Sequence, residues 1–126
     1  MFFINSTDYF IQEIEKGIAK DNNESFKTNL VSPMTNYEYF NNDKEMSKIL
    51  MPIYDLIEQH NLNKNDVFFL KSSWGFKMGF SHYTIKHKHD KSFLSGAIML
   101  NEHDQTLCFP EIDSNCEAPR NRIGQL

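Results

Sequence analysis

Near the start of the chain, Phe10, Ile11, Ile14 and Ile18 recur three and four positions apart, the spacing at which side chains share one face of an α-helix. Asn5 to Asp8 offers several capping residues, with Asp8, Glu13 and Glu15 early in the segment and Lys16 and Lys20 late, as the helix dipole favours. An amphipathic helix is therefore predicted. From Asp21 to Asn42 the periodicity is lost: the stretch is polar and rich in Asn, with Pro33, Tyr37, Tyr39 and Phe40. It reads as an irregular crossing with room for a short strand. A second helix is expected to begin at Asn42 or Asp43, where Asn42 and Glu45 approximate a capping box, and Met46, Ile49, Leu50, Ile53, Leu56 and Ile57 form its apolar stripe. Pro52 falls inside that stripe, so the helix is expected to kink or divide while its apolar face packs on the rest of the fold.

Beyond the polar breaker Asn61 to Asp66, the pattern changes to β. Val67-Phe68-Phe69-Leu70 and Trp74-Gly75-Phe76-Lys77-Met78 read as strand segments interrupted by Ser72 and Ser73, with Trp74 as a core anchor. Phe93, Leu94, Ala97, Ile98, Met99 and Leu100 read as a mostly buried strand. The fold class expected is α+β, mainly β with N-terminal helices: a helical portion over 1–62 and a β portion over 63–126 of one domain.

Composition supports a single core, since a chain of 126 residues that is 40% hydrophobic and 13% aromatic is not disordered by composition. The formal charge of −4 gives no nucleic-acid signal. No apolar run is long enough to span a bilayer, and Met1-Phe2-Phe3-Ile4 lacks the features of a signal peptide. Cys108 and Cys116 require no disulfide, and a cytoplasmic protein is expected. Internal repeats, glycine-rich phosphate loops and paired-cysteine motifs are absent from the sequence.

The candidate chemistry lies in His87-Lys88-His89-Asp90. Two histidines two residues apart share a face of an extended backbone and can reach one metal. With Lys86, Lys88 and Lys91 around them, the same residues also fit a solvated basic edge strand. His103 sits in a polar turn, His82 has the opposite strand parity, and His60 closes a helix where a cationic side chain is favoured. A zinc site from His87, His89, His103 and Cys108 has acceptable ligand types but matches no zinc spacing. A cupin would place a glutamate soon after the pair, and none occurs between His89 and Leu100.

The ordered set Ser73-Trp74, Gly79, His87-x-His89, Leu94-Ser95-Gly96, Met99-Leu100-Asn101 and Leu107-x-Phe109-Pro110 resembles the iron(II) and 2-oxoglutarate-dependent oxygenase superfamily. It is most similar to the small, often phage-encoded branch related to prolyl 4-hydroxylases, although Met99 stands where that branch usually has tyrosine. The resemblance implies a partial double-stranded β-helix (jelly roll) holding Fe(II) through His87 and His89, with 2-oxoglutarate as co-substrate and Phe76, Met78 and Tyr83 lining the cofactor pocket. It implies hydroxylation of a carbon coupled to oxidative decarboxylation of 2-oxoglutarate; the primary substrate is unknown.

In that family a distal histidine and a carboxylate-gripping base follow later. Ile123-Gly124-Gln125-Leu126 resembles the opening of the strand that precedes them. The expectation is a C-terminally truncated member, about a strand short of its third ligand and inactive as it stands. Arg120 and Arg122 precede the expected position of the base. The alternatives are a catalytically silent jelly-roll relative serving as a binding module, completed by a strand-donating partner or a second copy, and a non-catalytic metal-binding protein.

Overall fold

The computed structural model describes residues 7–21, 30–60 and 65–101. Their elements are α1 (Thr7–Asp21), β1 (Leu30–Val31), α2 (Lys44–His60) and β2 (Tyr83–Thr84). They divide between two compact units, one containing residues 7–21, 34–60 and 65–76 and the other residues 30–33 and 77–101.

The first unit is organised by the stretch from Met34 to Asp43, which the sequence pattern leaves almost unassigned. Phe40 and Thr35 are the most deeply buried side chains described, and Phe10 and Met34 join them. The apolar side of α1 meets this stretch through rings, Phe10 lying edge-on to Phe40 with centroids 5.7 Å apart. Such contacts add to the burial of large apolar surfaces, which drives the packing. The chain from 36 to 43 is a succession of turns. Asn36 starts it with a side-chain oxygen that accepts from Glu38 N at 3.0 Å, and Asp43 N donates to Phe40 O at 3.1 Å.

These turns are tied to the segment preceding Lys77. Thr35 N donates to Gly75 O at 2.9 Å, Phe40 N to Ser73 O at 3.0 Å, and Ser73 N to Tyr37 O at 2.9 Å. The fully buried Thr35 hydroxyl accepts from Gly75 N at 3.1 Å and donates to Asn36 O at 3.0 Å, so its burial leaves no polar cost outstanding. Only an isolated antiparallel bridge, Met34 with Phe76, is formed where a strand over 74–78 is expected. The 67–70 segment is not assigned as a strand, and Val67 and Phe69 are exposed. Trp74 is half-buried, with its ring edge-on to Tyr37 at 5.2 Å.

α2 starts one residue later than the proposed capping box requires. Its cap is Asp43, whose Oδ1 accepts from Met46 N at 2.9 Å, satisfying one of the donors that every helix start leaves free. The helix runs undivided from Lys44 to His60 with Pro52 inside it. Its apolar stripe is only half covered: Met46, Ile49, Leu50, Ile53 and Ile57 are half-buried, Leu56 is exposed, and no residue of α2 is fully buried. At the far end His60 Nδ1 lies 2.9 Å from Leu56 O, so the ring donates to an end carbonyl, as expected of a histidine at a helix C-terminus.

In the second unit β1 and β2 pair antiparallel, Leu30 with Thr84 and Val31 with Tyr83. Lys77 N donates to Pro33 O at 3.0 Å. The buried strand expected over 93–100 is not present: these residues form no strand, and Phe93, Leu94, Ile98 and Met99 are exposed. Their apolar composition suits a buried strand, but a strand is held by backbone partners that composition itself does not supply.

Candidate metal centre

Two turns frame the histidines of the second unit. The first runs from Gly79 to His82, where His82 N donates to Gly79 O at 3.2 Å and Gly79 N donates to His82 Nδ1 at 2.7 Å. His82 therefore spends its Nδ1 lone pair on its own turn, and in the neutral ring the proton is on Nε2. The second turn follows the pair, Ser92 N donating to His89 O at 3.0 Å.

Between these turns, His87 and His89 face one another. Their Nε2 atoms are 3.2 Å apart, and their rings stand edge to face with centroids at 4.8 Å. His87 Nδ1 lies 2.7 Å from Ile85 O. A carbonyl only accepts, so Nδ1 carries the proton and, in the neutral ring, the lone pair is on Nε2. This is the arrangement typical of a metal-bound histidine, whose second nitrogen donates to a backbone or carboxylate oxygen.

The pair fits a metal geometrically. With each nitrogen about 2.1 Å from one ion, a usual imidazole distance, the 3.2 Å separation subtends about 100° at that ion, between the octahedral and tetrahedral values. Two ligands do not make a closed site. Among the described residues no group of three His, Cys, Asp or Glu side chains could hold a metal ion. The pair is also exposed and set among the exposed Lys86, Lys88 and Lys91.

The other anticipated pocket residues are placed less favourably. Tyr83 lies in β2 opposite Val31, with its side chain exposed. Met78 is half-buried, and among the described residues neither it nor Tyr83 has a hydrogen bond to the histidines. Phe76 belongs to the first unit, where its backbone bridges Met34 and its ring is exposed. His103, Cys108, Cys116, Arg120 and Arg122 lie outside the described residues.

The Ile85 carbonyl that orients His87 has no signature in the residue types, because any residue supplies a backbone oxygen. The spacing i−2 to i was the only available cue. No family model matches the chain, nor does any curated protein or any solved structure. No helix among the described residues is long and apolar enough to cross a membrane.

Proposed function

We propose that this chain carries two metal ligands, His87 and His89, of an iron(II)- and 2-oxoglutarate-dependent oxygenase acting in the cytoplasm. The observation that carries the reading is the convergence of the two Nε2 atoms at 3.2 Å, with His87 oriented by Ile85 O. Imidazoles that leave adjacent coordination positions free suit non-haem iron. Iron with 2-oxoglutarate supplies the power to oxidise an unactivated carbon. The protein's share is to hold the two rings at one point and to provide the cationic surroundings of Lys86, Lys88 and Lys91, which favour a dicarboxylate co-substrate.

The test is anaerobic calorimetry with Fe(II), or Mn(II) as an inert substitute. Binding is expected, with affinity falling at least tenfold in His87→Ala and in His89→Ala, and tightening when 2-oxoglutarate is added. Unchanged affinity in both variants would remove the metal site. Metal binding indifferent to 2-oxoglutarate would leave a non-catalytic metal-binding protein. Sequencing the coding frame past Leu126 tests for the distal histidine and the basic residue of the family pattern.

A second reading is a catalytically silent interaction module completed by a strand-donating partner or another copy. The exposed apolar residues Phe93, Leu94, Ile98 and Met99 favour it, because apolar surface of this kind is commonly covered by a partner.

A further inference from the structure

The net charge of −4 conceals a local reversal. Between residues 77 and 91 there are four lysines, Lys77, Lys86, Lys88 and Lys91, against a single acid, Asp90, and all four lysines are exposed. By contrast, the described part of the first unit carries ten acidic and five basic residues. The basic stretch also displays aromatic rings: Phe80 is 88% exposed, Phe93 72% and Tyr83 37%. A ring as open as that of Phe80 is not serving a core. Cations interleaved with open aromatic faces are the combination that holds single-stranded nucleic acid, the cations on phosphates and the rings on unstacked bases.

We propose that residues 77–93 form a docking surface for single-stranded nucleic acid. The inference concerns binding alone and does not rest on the metal reading. A purely electrostatic surface would hold an acidic peptide equally well, but acidic side chains offer no flat face for Phe80 and Phe93. A duplex keeps its bases stacked inside and offers no base face to Phe80. Single strands satisfy both halves of the surface.

The experiment is fluorescence anisotropy of a labelled oligothymidylate with the full 126-residue chain in EDTA, so that failure of the metal site cannot affect the readout. Binding is expected at 50 mM salt and should weaken about 20-fold or more by 200 mM, the slope for neutralising about three or four phosphates of a single strand. The Lys86→Gln, Lys88→Gln, Lys91→Gln triple variant should lose most of this salt dependence. Phe80→Ala should weaken binding about fivefold or more, as loss of one stacked base does. Circular dichroism matching the unsubstituted protein shows that the altered side chains, all exposed, left the fold intact. No binding at 50 mM salt, an equally tight duplex, equal displacement by polyglutamate, or an unaffected Phe80→Ala would each overturn the proposal.

Discussion

Asp43 performs two tasks in the first unit. One carboxylate oxygen caps α2 through Met46 N, and the other accepts from the Tyr9 hydroxyl at 2.5 Å. That hydrogen bond, reinforced by desolvation and by the negative charges of Asp43, Glu13 and Glu45, pushes the Tyr9 hydroxyl up to about 12. The folded state thus holds the tyrosine proton more tightly than the unfolded chain, whose value is 10.0. The associated stability is present in full below pH 10 and is lost as the pH rises towards 12. Urea unfolding should show this loss in the native protein and a smaller one in Tyr9→Phe, which has no hydroxyl to titrate. Asp43→Ala should cost about 2 kcal/mol, combining the cap and the hydrogen bond. Asp43→Asn, which keeps a cap acceptor, should cost less. Equal losses in Asn and Ala would show that the cap contributes little.

Helix packing in this unit depends on two glycines where no room is left for a side chain. A Cβ on Gly17 of α1 would stand 2.6 Å from Thr35 Cγ2 and 2.7 Å from Tyr39 Cε2, and one on Gly75 would collide with Ile14. Alanine normally improves a helix interior by about 1 kcal/mol over glycine. At Gly17 the overpacking, typically about 1–3 kcal/mol, outweighs that gain, so Gly17→Ala should lower stability in denaturant unfolding. α2 gives the opposite case. Pro52 interrupts the hydrogen bonding of a helix that nevertheless runs through it, and Pro52→Ala should stabilise by about 1–3 kcal/mol. A lower unfolding midpoint for that variant would mean that Pro52 makes packing contacts worth more than the missing hydrogen bond.

Charge is distributed unevenly over the molecule, and this bears on the metal reading. The lysines around His87 and His89 repel a divalent cation, and salt screens exposed charges over about 8 Å at physiological strength. Metal affinity should therefore rise modestly, about twofold, between 20 and 150 mM salt, while nucleic-acid affinity falls. If calorimetry shows metal affinity falling with salt, acids outside the basic stretch contribute to the site. Among the described residues, the second unit presents its histidine pair and its exposed rings on a frame of one short strand pair and a few turns.

Apolar periodicity was enough to locate α1 and α2, because a helix satisfies its own backbone and needs only a stripe to face inward. The two-residue spacing of His87 and His89 permits their close approach, although residues 85–89 form no strand to fix it. Pairing partners were another matter. Phe40 and Thr35 became the centre of the first unit because turns from 36 to 43 fold back onto Ser73 and Gly75, and nothing local in a polar, Asn-rich stretch specifies which distant backbone it will meet. The same dependence on remote partners explains why Phe93 to Leu100, with a strand-like composition, forms no strand: a helix carries its hydrogen-bond acceptors within itself, whereas a strand must be given them by another part of the chain.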